Sequence, residues 1–222
     1  MTHLPQVDAL PDAIFWDWDG TIVDSYQLLS EAHDSTLSTL GMLKLEEGEF
    51  RNYFGKERMF IFSDIYGDQM ERAIDIFQSN VEEKSHLIKP MAGVIEVMRF
   101  LQESRVKLGL VTNKRRCYVG KELEHTGLNK FLPIVVCAGE ASHDKPYADP
   151  LLKAIELANL PPQKHEIWYI GDTETDLKCA TNAGCKSVFI EGHKDTMRLI
   201  KEYSPYISFD NYHTFKDFLV AI

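Results

Sequence analysis

The chain has 222 residues, of which 44% are hydrophobic and 26% are charged, a composition typical of a globular protein that buries a core. Its formal net charge of −10 argues against a basic surface that binds nucleic acid or an anionic membrane. No apolar run approaches the roughly 20 residues needed to span a bilayer, so we expect neither nucleic acid nor a membrane among its partners.

The amino-terminal stretch and the cysteines bear on the cellular compartment. The first twelve residues, MTHLPQVDALPD, show no basic region followed by an apolar one, so we expect no secretory signal. No CxxC pair and no zinc-site spacing occurs among the four cysteines, which are Cys117, Cys137, Cys179 and Cys185. We therefore expect reduced thiols and a cytoplasmic protein.

The first predicted element is a short buried strand over residues 13–16. From Asp24 to Lys89, apolar residues recur at helical spacings without strand-like alternation, which predicts a helical insert. We expect four helices there, with breaks at the glycines Gly41, Gly48, Gly55 and Gly67. The predicted domains are an α/β core over residues 1–23 and 91–222 and a helical domain over residues 24–90.

After the insert, predicted strands alternate with predicted helices. The strands are 106–113, 133–139, 166–172, 185–192 and 206–208, and the helices are 93–104, 114–125, 149–159, 175–183, 194–202 and 214–220. This alternation predicts a Rossmann-like parallel sheet flanked by helices, an α/β fold whose first strand is followed by the insert. Ligands of such sheets bind at the carboxyl ends of the strands.

Polar side chains follow four of the predicted strands. Asp17 and Asp19 follow the first strand and Thr112 follows the second, while Lys145 lies in the loop after the third and Asp172 at the end of the fourth, with Asp176 close behind. Several carboxylates at one sheet edge repel each other. Because hard divalent cations prefer oxygen ligands, this collection predicts a Mg²⁺ site.

The two-residue step from Asp17 to Asp19 also suggests chemistry. A strand that leaves its sheet through a tight turn at Gly20 can direct both carboxylates into one crevice. One could attack phosphorus while the other protonates the leaving oxygen. Lys145 and Mg²⁺ would then neutralise the phosphoryl oxygens, and Thr112 would donate a hydrogen bond.

Four motifs in this order, DWDGT, VTN, DKP and GDTETD, resemble the haloacid dehalogenase-like superfamily. The insert between the first two motifs is similar to the helical cap of its phosphoglycolate phosphatase and β-phosphoglucomutase branch. One departure is visible, since Trp16 and Trp18 flank Asp17 where the family commonly has smaller residues or phenylalanine. We expect these tryptophans to alter packing and not chemistry.

The resemblance implies a role for each motif residue. Asp17 would form an aspartyl-phosphate, and Asp19 would be the general acid and then the base. Asp17, the Asp19 backbone carbonyl and Asp172 would hold Mg²⁺, and Asp176 would support the metal or orient Lys145. Thr112 and Asn113 would bind the phosphoryl group, and Lys145 would stabilise both Asp17 and the phosphate.

Two basic stretches have two interpretations each. In the insert, Gly55, Lys56 and Arg58 form a predicted loop that could select a second anionic group of the substrate, or could simply be solvated. After the second strand, Lys114, Arg115 and Arg116 open a helix with the wrong charge for its dipole. A bound anion would relieve this, although a solvated face is the preferred interpretation.

The expected function is that of a Mg²⁺-dependent phosphatase acting on a small phosphorylated metabolite, such as phosphoglycolate or a sugar phosphate. A mutase of the β-phosphoglucomutase type uses the same residues and remains an alternative. A phosphonate-cleaving relative or a non-catalytic binding protein with this fold also stays open. We expect a monomer or a homodimer.

Overall fold

The computed structural model describes residues 7–46, 48–53, 58–160, 165–191 and 196–222, with the side chain of Arg58 outside the description. The chain divides into two compact units, one formed by residues 1–23 and 90–222 and the other by residues 24–89. Pro90, at the boundary, belongs to the larger unit.

The larger unit contains a six-stranded sheet whose paired strands all run parallel. Its strands are β1 (Ala13–Trp16), β4 (Lys107–Val111), β5 (Ile134–Val136), β6 (Ile167–Gly171), β7 (Lys186–Ile190) and β8 (Ile207–Phe209). Their spatial order is β5-β4-β1-β6-β7-β8, which places β1 between β4 and β6. A separate two-stranded sheet pairs β2 (Val23–Asp24) with β3 (Lys89–Pro90).

The central strands are apolar along their whole length because both faces of the sheet are covered. All four residues of β1 and all five of β6 are buried. The helices of this unit are α4 (Val94–Glu103), α5 (Arg116–Thr126), α6 (Asp149–Leu157), α7 (Glu174–Asn182), α8 (Thr196–Tyr203) and α9 (Tyr212–Val220). The predicted α/β fold is confirmed, and the predicted elements differ from these bounds mainly at their ends.

One core cluster packs α6 and α7 against the sheet. It joins Phe15 of β1 and Tyr169 of β6 to Leu151 and Ala154 of α6 and to Ala180 of α7. These contacts fix where β1, β6 and α7 lie relative to one another. The residues at the carboxyl ends of those strands therefore occupy defined positions.

The smaller unit is helical, and its described part contains α1 (Tyr26–Thr39), α2 (Arg58–Tyr66) and α3 (Met70–Glu83). Short 3₁₀ helices lie at Glu49–Asn52, Gly67–Gln69 and Ser85–Leu87. Among the described residues this unit has three α-helices, one fewer than the four helices predicted, together with these short 3₁₀ helices. Aromatic rings form its core, and buried His33 lies at hydrogen-bonding distance from the Tyr66 hydroxyl, 2.7 Å.

None of the helices in the described ranges combines the length and the apolar character that crossing a membrane requires.

Candidate active site

Three neighbouring strands deliver polar residues to the same edge of the sheet. Thr112 follows β4, Asp17 follows β1, and Asp172 follows β6. The chain turns away from the sheet directly after Asp17, since Gly20 has a φ of 79° and its N–H donates to the Val23 carbonyl at 2.9 Å. A side chain at position 20 would be strained in this left-handed conformation, which explains the glycine after the second aspartate.

Lys145 joins two buried carboxylates at this edge. Its Nζ lies 2.7 Å from Asp17 Oδ1 and 2.6 Å from Asp176 Oδ1. Asp17 is 7% exposed, Lys145 6% and Asp176 1%. Buried charges at such distances interact strongly, because little water screens them.

The charge balance of this group leaves a surplus of negative charge. Burial raises the pKa of Asp17 to about 7; Lys145 opposes this rise, while Asp176 and Asp172 add to it. For Lys145, burial works against the charged form, but Asp17 and Asp176 outweigh burial and raise its pKa. One ammonium group therefore does not neutralise the surrounding carboxylates.

This group fits a divalent cation. Asp17, Asp172 and Asp176 are all buried and can each place a carboxylate oxygen within 4.8 Å of the other two. Thr21, also buried, donates its hydroxyl to Asp172 Oδ1 at 2.5 Å and so fixes the orientation of that carboxylate. The three carboxylates supply the hard oxygen ligands that Mg²⁺ prefers, and their surplus negative charge attracts a divalent cation.

Asp176 is engaged on both oxygens. Oδ1 accepts from Lys145 and from the Tyr169 hydroxyl at 3.2 Å. Oδ2 accepts from the backbone N–H and the hydroxyl of Thr173, which forms a capping box at the start of α7. Of the two roles expected for Asp176, this geometry favours orienting Lys145.

The two polar residues after β4 stabilise the local backbone. Thr112 is 3% exposed, and its hydroxyl oxygen accepts from the Lys114 N–H at 3.2 Å. Asn113 forms a reciprocal pair with the Lys145 backbone, donating to its carbonyl and accepting from its N–H, both at 2.9 Å. Asn113 thus connects the loop that carries Lys145 to the end of β4.

Asp19 is paired with a different lysine from Asp17. Its Oδ1 lies 3.0 Å from Lys114 Nζ, which also lies 2.7 Å from Glu122 Oε1 on α5. The prediction of a solvated face is therefore wrong for Lys114, whose side chain is 9% exposed, and it holds for the exposed Arg115 and Arg116. Lys114 is buried because Asp19 and Glu122 together compensate its loss of hydration.

Glu122 was not identified from the sequence. It lies on the buried side of α5, beside Tyr118, Val119 and Leu123, and is 1% exposed. The sequence offers one sign of its role, a carboxylate on an otherwise apolar stripe of the predicted helix. That sign is weak, because its partner Trp18 lies far away in the sequence. Trp18 is fully buried and donates its indole N–H to Glu122 Oε2 at 2.6 Å.

Three predicted substrate-binding residues cannot be placed. Gly55 and Lys56 lie outside the described residues, and Arg58 begins α2 with its side chain outside the description.

The resemblance implies a metal role for the backbone carbonyl of Asp19, and its carboxylate does not belong to the group of Asp17, Asp172 and Asp176.

Sequence comparison with known proteins finds similarity over a region that contains all four motifs. A sequence model of the haloacid dehalogenase-like hydrolases matches residues 14–190. The pyrophosphatase PpaX of Bacillus mycoides is 27% identical over 195 residues, which cover 87% of this chain and 90% of that protein.

Solved structures share the fold. A haloacid dehalogenase-like family hydrolase from Streptococcus pneumoniae superposes with a TM-score of 0.83 at 22% identity, covering 94% of this chain and 98% of the other. A protein described as a predicted phosphoglycolate phosphatase from Haemophilus somnus also gives 0.83, at 20% identity, covering 94% and 97%.

Proposed function

This chain belongs to the haloacid dehalogenase-like hydrolase family, and we propose that it is a Mg²⁺-dependent phosphatase that acts through an aspartyl-phosphate. The observation that carries the proposal is the contact of Asp17 with Lys145 beside Asp172, at the carboxyl ends of neighbouring strands. A carboxylate held by an ammonium group and close to a fitted cation site can approach a phosphoryl group that would otherwise repel it.

The first step is transfer of the phosphoryl group to Asp17. A carboxylate oxygen of Asp17 attacks phosphorus, and the bond between phosphorus and the substrate oxygen breaks. Asp19 gives its proton to that leaving oxygen. Lys145 offsets the charge of both Asp17 and the phosphoryl group, in the position where Asp176 and the Asn113-bound loop hold it.

The second step releases phosphate. Asp19, now ionised, takes a proton from a water whose oxygen attacks phosphorus, and the bond between phosphorus and Asp17 breaks. Inorganic phosphate leaves and the Asp17 carboxylate is restored. When bound, Mg²⁺ would be held by Asp17, Asp172 and the Asp19 carbonyl, and would offset the negative charge that these carboxylates share with the phosphate.

The proposed substrate is a small phosphorylated compound. PpaX relatives are named pyrophosphatases and a structural neighbour is named a predicted phosphoglycolate phosphatase, so pyrophosphate, phosphoglycolate and sugar phosphates are the first compounds to test. The four free thiols favour a reducing compartment and therefore the cytoplasm.

The test is phosphate release from this set with and without Mg²⁺, for the unmodified protein and for Asp17→Asn. We expect Mg²⁺-dependent release that Asp17→Asn lowers by at least roughly 10³-fold, because the amide is a poor nucleophile. Asp12→Asn, at the opposite end of β1, is the matched control and keeps full activity. Release without Mg²⁺, or an active Asp17→Asn protein, would contradict the proposal.

Isomerisation of glucose 1-phosphate, without release of phosphate, would instead indicate the mutase alternative.

A further inference from the structure

A buried chain of contacts runs from α5 to Asp19. The indole N–H of Trp18 donates to Glu122 Oε2 at 2.6 Å, Lys114 Nζ lies 2.7 Å from Glu122 Oε1, and the same Nζ lies 3.0 Å from Asp19 Oδ1. We call Trp18, Glu122 and Lys114 the Asp19 brace. Its members come from the turn after β1, the segment after β4 and the middle of α5.

The brace is costly to bury. Glu122 is 1% exposed and the Lys114 side chain 9%, while Trp18 has no exposed surface. Burial raises the pKa of Glu122 despite the attraction of Lys114, so its ionised form is destabilised in the fold. Because apolar residues of similar volume often stabilise a protein as well as a buried ion pair does, stability alone does not account for such a group.

The brace also gives Asp19 a lysine partner of its own, separate from that of Asp17. Asp17 and Asp19 are two residues apart, yet each is paired with its own lysine, Lys145 for Asp17 and Lys114 for Asp19. Lys114 contacts Oδ1 of Asp19, which leaves Oδ2 as the oxygen for proton transfer. The Asp19 side chain is also the more exposed of the two carboxylates, at 26% against 11% for Asp17, so it can reach a leaving group or a water.

We propose that Lys114 and Glu122 are positioning residues for Asp19: Glu122, oriented by the Trp18 indole, holds Lys114 in place, and Lys114 fixes the rotamer in which Asp19 transfers protons. This inference rests on the proposed function, in which Asp19 is the acid and then the base. Lys114 and Glu122 touch neither the phosphoryl group nor the substrate in this scheme and act through Asp19.

The two chemical steps depend differently on Asp19, which allows a specific test. With p-nitrophenyl phosphate, the leaving p-nitrophenolate is stable without a proton, so transfer to Asp17 needs little acid catalysis. Hydrolysis of the aspartyl-phosphate still needs Asp19 as the base. A misplaced Asp19 should therefore slow the second step much more than the first.

The experiment measures p-nitrophenolate release by stopped flow, in Mg²⁺, for the unmodified protein, Lys114→Met and Glu122→Gln. We expect hydrolysis, and with it kcat, to slow roughly 10- to 100-fold in both variants, with kcat/KM for p-nitrophenyl phosphate within about twofold and a burst close to one p-nitrophenolate per active site. Trp18→Phe, which keeps the ring and removes the donor, should slow hydrolysis by roughly 2- to 10-fold. Lys114→Arg, which keeps the charge, should recover part of the rate.

Lys186→Met is the matched control, because it breaks a lysine–glutamate pair of the same 2.7 Å length, to Glu166, at the amino-terminal start of β7. It should hydrolyse at the rate of the unmodified protein. Thermal unfolding followed by circular dichroism is measured for every variant, so that a merely structural effect can be recognised.

The outcomes separate the two proposals. An unmodified protein that, in Mg²⁺, releases phosphate neither from p-nitrophenyl phosphate nor from pyrophosphate, phosphoglycolate and sugar phosphates would contradict the proposed function itself. If the protein is active but Lys114→Met and Glu122→Gln keep the unmodified protein's ratio of transfer rate to hydrolysis rate, the result contradicts the positioning role of Lys114 and Glu122. The proposed function is then unaffected. A proportional loss of both steps together with a lowered melting temperature would also contradict the positioning role, because that is the signature of a structural role. If Lys114→Met does not fold, Glu122→Gln and Trp18→Phe decide by the same ratio.

Discussion

Lys145 Nζ lies 2.7 Å from Asp17 Oδ1 in a position where neither residue is more than 7% exposed to water. The ion pair explains how Asp17 can carry a charge at the end of a buried strand, because burial alone disfavours the ionised form of its carboxyl group. It also divides the two aspartates of the first motif, because Asp19 is paired with Lys114 instead.

Replacing Lys145 with methionine should therefore destabilise the fold. The change leaves Asp17 and Asp176 buried without their cation, and we expect a loss of about 3–5 kcal/mol in the free energy of unfolding measured in urea. Lys178→Met, which breaks an exposed pair with Glu174 on α7, should leave the unfolding midpoint nearly unchanged. Equal stability of Lys145→Met and the unmodified protein would contradict the buried pairing.

Mg²⁺ should stabilise the protein, because a ligand that binds the folded state raises its melting temperature. At about 100 times its Kd, Mg²⁺ should raise the melting temperature by roughly 5–10 °C. Asp172→Asn should abolish most of this shift, whereas Asp19→Asn should keep it, because Asp19 is expected to offer its backbone carbonyl. A full shift in Asp172→Asn would remove Asp172 from the cation site.

The last residue of β6 must be glycine for steric reasons. A Cβ at Gly171 would lie 2.2 Å from the Cβ of Asp176, so alanine would displace the carboxylate that holds Lys145. We expect Gly171→Ala to lower stability by about 1–3 kcal/mol and to lower kcat, measured by urea unfolding and by phosphate release. Gly120→Ala, on α5 with open space around the added methyl, should instead raise stability by about 0.5–1 kcal/mol.

The ion pair between Arg116 and Glu140 should give a pH-dependent contribution to stability. Arg116 donates to both carboxylate oxygens of Glu140, at 2.7 and 2.6 Å, and these hydrogen bonds hold the pKa of Glu140 below its usual value. A depressed pKa stabilises the fold above the unfolded value of about 4.3 and loses that effect as the pH falls through the folded value.

Arg116→Met should therefore lower the melting temperature by roughly 1–3 °C at pH 7, since the pair is partly exposed. The difference should shrink as the pH falls from the unfolded value of about 4.3 through the lowered pKa of folded Glu140. Glu140→Gln with and without Arg116→Met is the control, because this pair of variants should differ by the same amount at every pH. A difference that grows in acid would contradict the assignment.

The sequence by itself determined the α/β fold and the edge of the sheet where the chemistry gathers. Alternating strands and helices leave parallel pairing as the economical arrangement, and parallel strands bring their carboxyl ends to one edge. Asp17, Thr112 and Asp172 were therefore predictable from their places after β1, β4 and β6, which are local features of the chain.

The family resemblance implied the pairing of Lys145 with Asp17, but only the tertiary structure decided that Lys114 pairs with Asp19 and Glu122. Lys114 and Glu122 are eight residues apart on a segment whose charges suggested solvent, yet both are buried because the turn after β1 brings Asp19 and Trp18 against them. Asp176 likewise could support a metal or hold Lys145, and the contact at 2.6 Å favours the second. Such pairings depend on the distance between groups far apart in sequence, which periodicity and spacing along the chain do not contain.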